Sequence, residues 1–141
     1  MKVFAVIDTN VIVSALLSRN GETPVVKVFQ ALMDKKITLM VNDEIISEYK
    51  NVLNRPKFKF PAKLISYILD EIIKNGIHSQ RINSEEVFPD AKDIVFYEVA
   101  LSKPGSFLVT GNLKHFPQTP IVVSPREMME ILKSSMEAKQ L

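Results

Sequence analysis

The sequence predicts a single α/β layer domain built on a mainly parallel sheet. Three observations carry that expectation. Val3 to Ile7 is an apolar run without polar alternation, the pattern of a strand covered on both faces. Further short apolar runs are separated by stretches with helical spacing, so strands and helices alternate along the chain. No internal repeat, low-complexity segment or interdomain linker interrupts the 141 residues. At that length one domain hides roughly 70% of the surface of its unfolded chain.

After the first strand, Asp8-Thr9-Asn10 ends the apolar run and Val11 to Leu17 reads as a short helix. Thr23-Pro24 supplies an N-cap and a proline at the first helical position. Val25, Val28, Phe29, Leu32 and Met33 follow at helical spacing. Ile37 to Val41 is the second strand, and Asn42 or Asp43 caps a helix whose apolar stripe is Ile45, Tyr49, Val52 and Leu53. Arg55 to Pro61 is a basic linker with two prolines. Leu64, Ile65, Ile68, Leu69, Ile72 and Ile73 form an amphipathic helix that stops at Asn75-Gly76. Residues 77–89 read as irregular, with a short edge strand around Ile82. Asp90 starts a helix through Leu101 that is apolar on most sides and therefore deep. Phe107 to Val109 and Ile121 to Val123 are strands, and Ser124-Pro125 caps a last helix to about Lys133. The domain is thus expected over residues 1–133, with 134–141 a frayed tail.

Composition narrows the function classes. Hydrophobic residues at 46% and charged residues at 24% are globular values and exclude a disordered or fibrous chain. A net charge of +2 excludes a polycation that coats nucleic acid by bulk electrostatics. Zero cysteines exclude a disulfide framework, a thiolate nucleophile and Cys-ligated zinc. The apolar run after Lys2 is too short for a signal-peptide core, and none approaches the roughly 18 residues of a membrane span. A soluble, cytoplasmic protein without a membrane partner is the expectation.

In open α/β sheets, ligands bind outside the carboxyl ends of the strands. Two polar clusters fall there, Asp8-Thr9-Asn10 and Thr110-Gly111-Asn112. Either is also what a helix cap or a tight turn looks like. Glu48 projects about 60° from Ile45 on an ideal helix, so it flanks the buried stripe. It is either a solvated edge carboxylate or an acid leaning over the sheet toward Asp8. Asp90 and Asp93 have the spacing of a capping box, yet Asp93 shares a face with Phe96 and Ala100. Carboxylates near a core raise one another's pKa unless something positive joins them. Hard cations such as Mg²⁺ or Mn²⁺ prefer oxygen ligands and suit phosphoryl chemistry.

Together these residues resemble the PIN-domain family, ribonucleases of the flap-endonuclease-like superfamily that include toxins of toxin–antitoxin pairs. The resemblance runs from about residue 2 to residue 133. It rests on the strand ending in Asp8-Thr9-Asn10, the helical acid of Ser47-Glu48-Tyr49, Asp93 opening the Ile94 to Leu101 helix, and Phe107 to Asn112. It implies a three-layer α/β/α sandwich and a metal-dependent nuclease in which Asp8, Glu48 and Asp93 hold Mg²⁺ or Mn²⁺. Asp8 and Asp93 would be the primary ligands, with Glu48 acting through water or helping to deprotonate it. Thr9 and Asn10 would support Asp8, Thr110 would order the site, and Asp90 would act in the outer sphere. The chain departs from many PIN sequences at Asn112, where they carry a fourth acid. An amide oxygen there can ligate an ion or orient a water but adds no charge. The stretch Thr110 to Pro117 resembles a PIN subgroup of toxin components.

The implied reaction is hydrolysis of single-stranded RNA by a metal-activated water, leaving 5′-phosphate and 3′-hydroxyl ends. Implied partners are RNA, a cognate antitoxin protein and a second copy of the chain. Arg55, Lys57 and Lys59, interleaved with Phe58 and Phe60, are candidate substrate contacts, as are Lys114 and His115 near the mouth. The phenylalanines either stack on bases or fold back into the core. The near-neutral charge also divides locally: residues 49–69 carry bases and no acid, whereas 85–98 carry acids against Lys92 alone. An alternative reading is a catalytically silent RNA-binding or partner-binding module, motivated by Asn112.

Overall fold

The computed structural model describes residues 2–139. Its elements are β1 (Val3–Ile7), α1 (Thr9–Leu17), α2 (Pro24–Met33), β2 (Ile37–Val41), α3 (Asp43–Leu53) and α4 (Ala62–Asn75). They continue with β3 (Ile77–His78), α5 (Ile94–Leu101), β4 (Phe107–Val109), β5 (Val122–Val123) and α6 (Pro125–Lys139). The sheet is parallel throughout, in the order β3-β2-β1-β4-β5. Successive strand residues point to opposite faces, yet Ala5, Val6 and Ile7 are all buried. Helices therefore cover both sides, and the fold is the expected three-layer α/β/α sandwich. Among the described residues no helix is long and apolar enough to cross a membrane.

Strand order positions the site. From β1 the chain moves outward to β2 and β3, then returns across the sheet to β4 on the other side of β1. That reversal opens a crevice at the carboxyl ends of β1 and β4. Register aligns Ile7 with Val109, so the residues that leave the two strands, Asp8 and Thr110, emerge side by side.

Several local expectations need correction. Helix α1 begins at Thr9, so Thr9 and Asn10 lie in its first turn. Thr23 occupies the N-cap position of α2, but its hydroxyl donates to the Asn20 carbonyl and leaves the helix uncapped by that side chain. The edge strand is Ile77–His78, with the Ser79 amide still donating to Val41 of β2; Ile82 instead donates its amide to the Glu98 carbonyl of α5. Gly76 ends α4 in an extended conformation, and a Cβ there would lie 2.6 Å from the Ile72 carbonyl oxygen, so close approach explains the glycine. Asp90 caps a 3-10 turn, Ala91–Asp93, ahead of α5. Finally, residues 134–139 continue the last helix past the expected Lys133. They extend α6 to Lys139, along a groove against α2 that Met129, Leu132 and Met136 line; residues 140 and 141 lie outside the described residues. The start of α6 is the expected cap, with Ser124 and Glu127 bonding each other's backbone amides at 3.1 and 2.9 Å.

Candidate active site

Asp8 sits at the N-cap position of α1, but its carboxylate does not cap the helix. It accepts a hydrogen bond from Thr110 Oγ1 at 2.8 Å. The same hydroxyl accepts the Asn112 amide at 3.0 Å, which leaves its own proton to point at Asp8. The strand ends are locked to match: the Asp8 amide donates to Val109 at 2.9 Å and the Thr110 amide to Val123 at 3.0 Å. Asp8 and Thr110 are both buried. Burial raises the Asp8 pKa above its ordinary value; the Thr110 bond, the Thr9 and Asn10 amides and His115 oppose the shift without cancelling it. Asn10 accepts the Gly111 amide through Oδ1 at 3.3 Å and so ties the two polar clusters together.

Glu48 arrives from α3, which Asn42 caps by accepting the Ile45 amide at 2.8 Å. Its neighbour Tyr49 is fully buried and donates its hydroxyl to the Ile7 carbonyl, one residue before Asp8. Burial, and then the Asp8 charge, push the Tyr49 phenol upward, so it remains a donor. That bond fixes α3 against the end of β1. Glu48 consequently faces the crevice, half-buried, as the helical projection predicts.

Asp93 closes the 3-10 turn that Asp90 caps by accepting the Lys92 amide at 2.9 Å. No reciprocal side-chain bond from Asp93 completes a capping box. Asp93 Oδ2 is buried and has no hydrogen-bond partner, although His115 Nδ1 stands 3.5 Å away. Burial first, then the charges of Asp8 and Asp90, push the Asp93 carboxyl up to about 6 despite His115. The long segment leading to it has its own fixings, which the sequence reading missed. Arg81 pairs with buried Glu98 at 2.6 Å and with Glu44 at 2.8 Å, while Glu98 also accepts the Ser84 amide. Phe88 packs edge-on against Tyr97 and Phe116, tying this segment to the turn that carries His115. The signal for Glu98 was present: a lone acid inside an otherwise apolar helix needs a partner.

Asp8, Thr9, Asn10, Glu48, Asp90, Asp93 and Asn112 line one cavity of about 300 Å³. Arg55 and Lys92 supply its cationic wall, joined by the His115 imidazole, and Val13, Val52, Phe58 and Phe96 its apolar one. Lys57, Lys59 and Lys114 do not line it and are exposed. Lys92 and the apolar wall were not anticipated.

Comparison with protein families matches the PIN domain over residues 5–114, more than three quarters of the chain and a span holding all three acids. The chain belongs to the PIN-domain family. A comparison with curated proteins gave no match. PIN domains are generally nucleases and typically use divalent metals.

The donor chemistry of this PIN domain suits such an ion. Its cavity offers hard oxygen ligands from Asp8, Glu48, Asp93 and Asn112, with the His115 imidazole beside them. Asp93 Oδ2 and Thr9 Oγ1 are buried without hydrogen-bond partners. Two of the carboxyls have raised pKa values, an electrostatic cost that a cation offsets. The side chains nevertheless do not form a closed ligand set: among the described residues, no three acids or histidines are placed to share an ion. Thr110 holds Asp8, and the His115 Nδ1 lies 3.5 Å from Asp93 Oδ2.

Proposed function

We propose that this PIN domain is a divalent-metal-dependent endonuclease of single-stranded RNA acting in the crevice between β1 and β4. The observation that supports it best is that Asp8, Glu48 and Asp93 reach one cavity from three separate elements, with Asp93 Oδ2 buried and lacking a hydrogen bond. In this reading those acids hold Mg²⁺ or Mn²⁺ and Asn112 adds a neutral oxygen. The ion, when bound, supplies activation of water and relief of charge on the leaving oxygen. The chain's residues do the positioning. Thr110 keeps Asp8 Oδ2 in one orientation, and the Tyr49 bond to Ile7 keeps Glu48 at the crevice. Arg55, Lys92 and His115 draw a phosphate toward the acids. RNA as the substrate, a role as the toxin of a toxin–antitoxin pair with its antitoxin, homodimer formation and a cytoplasmic location all rest on the sequence resemblance.

The test is cleavage of an end-labelled single-stranded RNA in Mg²⁺ and in Mn²⁺. Asp8→Asn is expected to reduce cleavage to background while the protein keeps its circular dichroism spectrum. Undiminished cleavage by that variant, or full activity in excess EDTA, overturns the reading. A second reading, a silent RNA-binding module, draws support from Asn112 and from acids that do not close around one ion. It expects RNA retention without cleavage across both metals, and cleavage that disappears with Asp8→Asn rejects it.

A further inference from the structure

The acids and bases explain only part of the cavity. Val13, Val52, Phe58 and Phe96 line it as well, beside the carboxylates. A phosphate alone has no use for an apolar wall; a phosphate with a nucleobase attached does. Val13, Val52 and Phe96 are buried, and Phe58 alone of these four is half-buried.

The linker builds Phe58 into a platform. Pro56–Phe58 is a 3-10 turn in which the Phe58 amide donates to the Arg55 carbonyl at 3.1 Å. Residues three apart eclipse in such a turn, so Arg55 and Phe58 face the same way, and both line the cavity. Lys59 then takes a left-handed conformation (φ 56°) that turns the chain back. Phe60 comes to lie against Phe58, ring centroids 5.4 Å apart and planes 16° from parallel. Both rings also pack on the core, which stiffens the pair. The exposed Lys57 ammonium lies over the Phe58 ring, 5.2 Å from its centroid. A cation–π contact at an exposed site is weaker than a stacked base, so a base can take its place.

We infer that Phe58, buttressed by Phe60, is the surface on which the base beside the scissile phosphate stacks, while Arg55 grips that phosphate. A base in a duplex keeps its neighbours on both faces and cannot use such a platform, so this wall selects unpaired strand. The inference rests on the proposed RNA reading and adds a specificity-determining residue to it.

The test is equilibrium binding of a fluorescein-labelled oligouridine, read by anisotropy in EDTA so that binding is separated from cleavage. Phe58→Leu should weaken binding about tenfold, equivalent to about 1.4 kcal/mol. Phe58→Trp should retain it, and an unchanged circular dichroism spectrum of Phe58→Leu separates its loss from misfolding. An oligonucleotide in which one central base is removed should bind the wild type more weakly. Phe58→Leu should show little of that further loss, because both changes remove the same stack. Equal binding by Phe58→Leu, or additive losses, overturns the platform and leaves the nuclease reading standing. A wild type that binds no RNA overturns both.

Discussion

The two walls of the cavity are held by different physics. On the strand side, Asp8 and Thr110 leave adjacent parallel strands, and their positions follow from the sheet register and two backbone hydrogen bonds. Their side chains are buried and bonded to each other. On the linker side, Arg55 in the wall and Lys57 and Lys59 beyond it are exposed, carried on and around a short 3-10 turn that two half-buried rings hold in place. Burial makes each strand-side charge costly and exact in position; exposure makes each linker-side charge inexpensive and adjustable. A nuclease has use for both, a rigid seat for an ion and a compliant rim for a flexible strand. Perturbations of the two sides should therefore differ in size and in kind.

The largest expected effect is electrostatic and falls on Asp93, which reaches the same cavity from the 3-10 turn ahead of α5. Asp93 rises from an ordinary 3.8 to about 6 in the folded chain. The folded state thus binds that proton more tightly than the unfolded chain does. Stability from this group is present at low pH, falls as pH rises from about 4 through about 6, and is level above that. Urea unfolding of the wild type in EDTA should show that decline, and Asp93→Asn should remove most of it. Mn²⁺ added above pH ~6 should raise the midpoint of the wild type, because binding to the folded state offsets the same repulsion. Identical pH profiles for wild type and Asp93→Asn would show that the burial of Asp93 carries no such cost.

Next comes the bond that orients Asp8. Thr110→Val keeps the shape of the side chain and removes the hydroxyl that joins Asp8 to the Asn112 amide. Groups that orient a metal-binding carboxylate typically matter about 10–100-fold in metal affinity or activity. Mn²⁺ affinity by titration calorimetry and cleavage rate should both fall within that range. Thr110→Ser, which retains the donor, should recover much of the loss. No recovery by serine would assign the effect to packing.

How much of this was legible in the sequence follows the same division. Asp8 could be read because an uninterrupted apolar run ending in an acid specifies a buried strand end. Glu48 could be read from helical periodicity, and its exposure agrees with the projection. The Thr110 bond to Asp8 spans 102 positions and depends on the pairing of β1 with β4, which local pattern does not encode. Asp90 and Asp93 looked like a capping box, yet only Asp90 caps, because a 3-10 turn intervenes and leaves Asp93 Oδ2 free of hydrogen bonds. The strand Ile77–His78 is too short to show a period. Composition indicated that 49–69 was basic but not which bases reach the cavity. That depends on the turn at Pro56–Phe58, where residues three apart face alike.

The smallest effect should come from the linker bases outside the cavity, and its signature is salt dependence. Lys57 and Lys59 are exposed and do not line the acid cavity, so they are not placed to act on the reacting phosphate. If they follow the strand beyond the cleavage point, each contributes through release of a counterion. For single strands the slope of log K against log salt changes by about 0.7 for each phosphate neutralised. The pair Lys57→Ala and Lys59→Ala should therefore flatten that slope by about 1.4. Binding should weaken most at low salt and converge with the wild type as screening increases. Cleavage at saturating RNA should stay near the wild-type rate, since the strand side is untouched. An unchanged slope would place these lysines outside the path of the strand and confine substrate contact to the cavity wall of Arg55, Lys92 and His115.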